Sequence, residues 1–233
     1  MNKYRLIFNG KSSADVGLFV GVNGNDGAPA RVVEDIVIPG RNGTLTIDGG
    51  RYENVKLSYT CFLRERYDQA IEAARAFFLS EVGYKRLEDT AHPDEYRMAK
   101  VKSGLEVTPS QMREQGYFTV TFDAMPQRWL KNGELKITAT GAMTLFNPTK
   151  YPSKPMLRVY GTGTVGVGDA TLTVGGTQSY VDIDCERMDA YTGSTNMNGY
   201  VSGTFPVIEP GANGVTISGS VTSVEITPRW YVL

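Results

Sequence analysis

Apolar and polar residues alternate with period two over much of this chain. Val55, Leu57, Tyr59 and Cys61 alternate with Asn54, Lys56, Ser58 and Thr60, the pattern of a strand with one face buried and the other wet. Phe118, Val120 and Phe122 alternate in the same way with Tyr117, Thr119 and Thr121. Segments 31–38 and 44–47 read as strands joined by the turn Pro39-Gly40-Arg41-Asn42-Gly43, and Asp48-Gly49-Gly50 reads as the next turn. Further strands are expected at 84–87 and 95–102.

One segment has a different period. Tyr67, Ala70, Ile71, Ala74, Phe77 and Phe78 recur at three-and-four spacing, with Glu65, Arg66, Asp68, Glu72 and Arg75 mostly off that stripe. This predicts an amphipathic helix over 66–80, ended by Gly83 and packed by its aromatic stripe onto a sheet. Met125 to Trp129 reads as the exit from this first region, and Lys131-Asn132-Gly133-Glu134 as a turn or linker. Beyond it, short strands follow at close intervals: 135–140, 156–160, 170–174, 180–184, 200–205, 214–218 and 221–227. Regular short strands punctuated by Gly, Asn and Pro indicate a sandwich or barrel.

Composition sharpens this division. Of 24 basic and 25 acidic residues, residues 131–233 hold 7 and 8, so the charge lies mostly in the first half. The shift suggests a domain boundary, with domains at 1–130 and 131–233. The near balance of charge gives no field to gather nucleic acid or anionic membrane. No stretch approaches the ~20 apolar residues of a membrane helix. The opening Met1 to Phe8 has no long apolar run behind it, so no secretion signal is read there. Cys61 and Cys185 are read as two buried free thiols, consistent with synthesis in a cytoplasm.

The residue chemistry offers little for catalysis. The single histidine, His92, lies before Pro93 in a polar stretch and is read as plain surface without an evident partner. Gly161-Thr-Gly-Thr-Val-Gly166 matches a dinucleotide fingerprint, but turn and strand follow it where a helix is required, so a glycine-rich hairpin is expected. Asp182, Asp184 and Glu186 alternate with Val181, Ile183 and Cys185, which reads as the solvated face of a half-buried strand. No catalytic residue, cofactor site or metal site is assigned, and the chain is not expected to be an enzyme.

Several of these segments resemble a known family in order and spacing. They are Phe8-Asn-Gly-Lys-Ser-Ser-Ala-Asp-Val-Gly-Leu18, Ile38-Pro-Gly-Arg-Asn-Gly43 and Asp48-Gly-Gly-Arg-Tyr-Glu-Asn-Val55. Asn147-Pro-Thr149, Lys154-Pro155 and Val181-Asp-Ile-Asp-Cys-Glu186 complete the pattern. Together they resemble the distal tail proteins of siphophages and related prophages, over nearly the whole chain. The resemblance implies a mainly β protein: an N-terminal β-sandwich-like domain with one α-helix, followed by a C-terminal galectin-like β-sandwich. It implies a homo-hexameric ring built by the N-terminal domains at the distal tip of a virion tail. The implied partners are the tail tube protein, the tail-associated hub, lysin or fibre protein, and the tape measure protein.

A closed ring needs two different patches per subunit that meet head to tail. Candidates are the Arg41-Asn42-Gly43 turn, the Asp48 to Arg51 turn and an exposed strand edge in the first half. Two other readings compete. A carbohydrate-binding module for the host wall would need a sugar-stacking aromatic with converging polar groups; Trp230, beside Pro228, Arg229 and Tyr231, reads instead as packing. A tail-tip hydrolase would have to use Asp182, Asp184 and Glu186.

Overall fold

A computed structural model describes residues 4–21, 27–64, 67–102, 104–106, 108–109 and 115–233. Both halves are built from antiparallel strands, and each buries its own apolar core. The backbone divides into two compact units, Met1–Arg128 with Leu233, and Trp129–Val232.

The first unit opens with β1 (Leu6–Phe8) and β2 (Lys11–Ser12), joined by Asn9 and Gly10, both at positive φ. That is the two-residue turn an Asn-Gly pair favours in a hairpin. A 3-10 turn over Ser13–Val16 then leads into β3 (Leu18–Val20). It starts with Ser12 capping the Ala14 amide and stops at Gly17 in the left-handed region. Among the described residues, β4 (Arg31–Val37) and β5 (Thr44–Tyr52) pair only with each other. Next come β6 (Val55–Arg64), α1 (Tyr67–Leu79), β7 (Lys85–Asp89), β8 (Glu95–Val101), β9 (Thr108–Pro109) and β10 (Gln115–Ala124). The main sheet runs β2-β1-β7-β8-β10-β6-β3.

The period-two reading of β6 and β10 is borne out. Leu57, Tyr59, Cys61, Phe118, Val120 and Phe122 are buried, while Lys56, Ser58, Thr60 and Tyr117 are exposed. The helix is also where its stripe places it; the predicted start at Arg66, with Glu65, lies outside the described residues. Ile71, Ala74, Phe77 and Phe78 enter the core against the strands. Phe78 sits edge-to-face on Phe77, Phe118 and Phe122, with centroids 4.8–6.2 Å apart. Such pairs add about 0.5–1.5 kcal/mol each beyond simple burial.

One expected turn is absent. Asp48-Gly49-Gly50 does not reverse the chain but lies inside β5, which continues to Tyr52. Val33 pairs with Asp48 and Arg31 with Tyr52, so Val32 alone faces Gly49, Gly50 and Arg51. The two glycines serve a β-bulge: Gly50 takes φ +67°, and a Cβ on Gly49 would lie 2.9 Å from the Val32 carbonyl oxygen.

β11 (Arg128–Leu130) straddles the boundary between the units, and a 3-10 turn over Lys131–Glu134 follows. The second unit then holds β12 (Ile137–Ala139), β13 (Met143–Asn147), β14 (Met156–Tyr160), β15 (Gly163–Val167) and β16 (Ala170–Val174). It continues with β17 (Tyr180–Asp184), β18 (Asp189–Thr192), β19 (Thr195–Asn196) and a 3-10 turn, Asn198–Tyr200. β20 (Val201–Gly203), β21 (Gly211–Gly219), β22 (Ser223–Thr227) and β23 (Tyr231–Val232) complete the chain. Six strands form one sheet, β12-β22-β14-β17-β18-β19, and five form the other, β13-β21-β15-β16-β20.

Local chemistry explains several joints of this sandwich. The glycine fingerprint is strand and turn: β15 and β16 form a hairpin closed at Gly168-Asp169, and no helix follows. Buried Asn147 donates to the Tyr151 and Ile208 carbonyls and accepts from the Thr149 amide and hydroxyl, so Asn-Pro-Thr is a clasp. Trp230 is buried in the core, as expected, against Gly133, where a Cβ would fall 2.3 Å from the Trp230 backbone nitrogen.

Candidate assembly surface

The β4–β5 ribbon is the most exposed of the described strands of the first unit. Nearly every residue of both strands is open to solvent. Its two faces differ in chemistry, because residues opposite each other in an antiparallel pair share a face. On one face Ile36 opposes Leu45, and Ile47 opposes Glu34. These three apolar side chains are 39%, 44% and 46% exposed. On the other face Asp35 accepts from the Thr44 and Thr46 hydroxyls, flanked by Val33 and Val37.

The candidate residues named from the sequence fall into two places on this ribbon. Arg41, Asn42 and Gly43 form its exposed tip, where the Arg41 amide donates to the Ile38 carbonyl and Gly40 and Gly43 take positive φ. Asp48 and Arg51 sit at the base, in and beside the bulge rather than in a separate turn. Asp48 accepts a two-pronged interaction from Arg31 and a bond from the Gly50 amide. The Arg31 hydrogen bond, then that of Gly50, holds the Asp48 carboxyl down to about 2. Arg31 also donates to the Tyr52 hydroxyl, which fixes the bulged end of the ribbon.

Two readings of isolated polar residues need correction. His92 has a partner: Asp89 accepts from the Ala91 and His92 amides, and His92 Nδ1 lies 3.2 Å from its carboxylate. The turn that carries the histidine is therefore organised by Asp89, to which the Tyr59 hydroxyl also donates. Asp182 and Asp184 do not form a solvated face. They are 5% and 7% exposed, because β17 lies between β14 and β18 and basic side chains close over it. Arg158 grips Asp182 through Nε and Nη2 at 2.7 and 2.9 Å, and Arg229 grips Asp184 at 2.7 and 3.2 Å. Only Glu186, beyond the end of the strand, is exposed.

Burial opposes ionisation of Asp184, but Arg229 and the amides of Arg187 and Glu186 outweigh it and hold the carboxyl below its usual range. Cys61 and Cys185 are free and buried, and burial pushes each thiol up to about 12. Among the described residues no group of three or more His, Cys, Asp or Glu side chains is placed to hold a metal ion. No described helix is long and apolar enough to cross a membrane.

The mainly β architecture, with one helix in the first unit and a sandwich in the second, is a fold found in phage tail proteins. The SPP1 Dit protein, described as a paradigm of the hub adsorption apparatus in phages that infect Gram-positive bacteria, shares it. The TM-score is 0.76 over 99% of both chains, at 10% sequence identity. A chain of the phage P2 baseplate in its activated conformation with Ca matches at a TM-score of 0.51 and 11% identity, over 96% of this chain and 97% of that one. At such identities the likeness is one of fold. No protein-family model matches the sequence, and comparison with curated proteins gives no match.

Proposed function

We propose that this chain is a structural hub protein of the distal tail of a siphophage or prophage. Six copies form a hexameric ring through their first units. The ring joins the tail tube, and the tape measure protein within it, to the tail-associated lysin or fibre protein of the tip. The protein is made in the bacterial cytoplasm and ends in the virion, and its work is done through contacts rather than catalysis.

The observation that carries this reading is the β4–β5 ribbon. A two-stranded hairpin is marginal in water unless a further layer covers it. Among the described residues the ribbon pairs with no other strand, and it presents Ile36, Leu45 and Ile47 to solvent. A subunit with such an arm is suited to association with a copy of itself, because an arm that binds a different patch on its neighbour generates a ring. The full-length likeness of fold to a hub protein supports the same reading.

Mass photometry and negative-stain electron microscopy of the purified chain test it. The expected result is a closed ring with the mass of six subunits. A strictly monomeric protein across the micromolar range, with no rings on the grid, would overturn it.

A further inference from the structure

An asparagine followed by glycine can react with its own backbone, because glycine places no Cβ beside the main-chain nitrogen that attacks the side-chain amide. This chain carries six such pairs, at Asn9, Asn23, Asn42, Asn132, Asn198 and Asn213. The pair at Asn23 lies outside the described residues. The fold treats the other five very differently.

Four of the five are held. The Asn213 carboxamide is buried; it donates to the Glu209 and Gly211 carbonyls at 2.8 and 3.0 Å and accepts from the Glu209 amide. Asn198 donates to Asp189 at 2.8 Å and accepts from the Ala190 amide at 2.6 Å. Gly133, after Asn132, is buried in a 3-10 turn against the Trp230 backbone. Asn9 and Gly10 are the whole of a two-residue turn between paired strands, and the Asn9 amide donates to the Arg86 carbonyl. Asn42 and Gly43 differ. They lie in the six-residue loop between Val37 and Thr44, the last pair of the ribbon ladder. Both are exposed, and nothing lies within 4 Å of the place a Cβ on Gly43 would take. Among the described residues, no hydrogen bond holds the Asn42 carboxamide or the Gly43 amide.

We propose that Asn42-Gly43 is a self-modification site, at which the tip of the ribbon converts spontaneously to aspartate and isoaspartate. The Gly43 nitrogen bonds to Asn42 Cγ as the Cγ–Nδ2 bond breaks, and Nδ2 leaves as ammonia with the proton that the Gly43 amide gives up. Water then opens the resulting cyclic imide. Cleavage at Cγ gives aspartate, and cleavage at the main-chain carbonyl carbon gives isoaspartate, whose backbone is longer by one methylene. Either product places a new carboxylate beside Arg41 at the exposed tip. No enzyme and no oxidant or reductant is needed, only water. The inference rests on the loop itself and holds whether or not a ring forms.

Storage of the full chain at neutral and at mildly alkaline pH tests it, followed by tryptic digestion at mildly acidic pH and mass spectrometry with fragmentation. Asn42 is the sole carboxamide of the tryptic fragment 42–51, so a gain in mass there has one origin. Asn42 is expected to convert first, faster at alkaline pH because the attacking amide must lose its proton. Asn198 and Asn213 must first break two or three hydrogen bonds, so each is expected to convert more than about tenfold more slowly. Urea should close that gap. Asn42→Gln, whose longer side chain would have to form a six-membered ring, is expected to fold as the parent does and to lack the first acidic species. Conversion of any other described pair ahead of Asn42, a gap that persists in urea, or an undiminished first acidic species in Asn42→Gln each overturns the proposal.

Discussion

The exposed ribbon allows a quantitative test of assembly. Burying a whole aliphatic side chain of the size of Leu or Ile stabilises by about 1.5–3 kcal/mol. The open fractions of Ile36, Leu45 and Ile47 amount together to a little more than one such side chain. A neighbouring subunit that covers them therefore contributes about 2–4 kcal/mol per contact. The double variant Ile36→Ser, Leu45→Ser removes an opposed pair on the ladder, and with it about two-thirds of that sum. Each contact should weaken roughly tenfold to fiftyfold, and the loss compounds around a closed ring. Sedimentation velocity across a dilution series reads this directly. The variant should shift to small species at concentrations where the parent chain stays large. Near-UV circular dichroism should remain that of the parent, because neither residue belongs to a buried core. If variant and parent show the same mass distribution throughout, the apolar face of the ribbon does not hold the subunits together.

Three further outcomes follow from the packing. Asp184 has a depressed pKa in the folded chain, so its contribution is complete above the ordinary aspartate value of about 4 and is lost as pH falls through the native one. Asp184→Asn should cost roughly 1–3 kcal/mol at neutral pH and flatten the acid limb of a denaturation series; an unchanged limb counts against the Arg229 pairing. Gly133→Ala places a methyl against the Trp230 backbone and should destabilise the second unit by about 1–3 kcal/mol, measured by urea unfolding. Cys61 and Cys185, with thiols near 12, should resist a maleimide at neutral pH and react only on unfolding; rapid labelling of the native chain would contradict their burial.

Much of the fold is legible in the sequence, for physical reasons that also mark where legibility ends. Period-two alternation identified β6 and β10 because each has one face on the core, and the three-four stripe identified α1 because its aromatics pack on that same core. The Asp48-Gly49-Gly50 segment was misread because paired glycines permit either a reversal or a bulge, and only the register of the partner strand distinguishes them. The exposure of β4 was not legible, since a Val- and Ile-rich strand reads like a buried one. Alternation placed Asp182 and Asp184 on the correct side of β17 but could not reveal what covers them. Their partners come from β14 and from the segment after β22.

The unpaired ribbon has a thermodynamic consequence for the single subunit. In the proposed ring this ribbon is covered by a neighbouring subunit, so part of the free energy that completes the fold would reside in another molecule. On that assembly, subunit concentration acts as a stability variable, alongside temperature and pH. Backbone amides of Arg31–Val37 and Thr44–Tyr52 become a gauge of completion. They should exchange with solvent readily in a dilute subunit and slowly once a neighbour is seated, while the amides of β6 and β10 exchange slowly in both states.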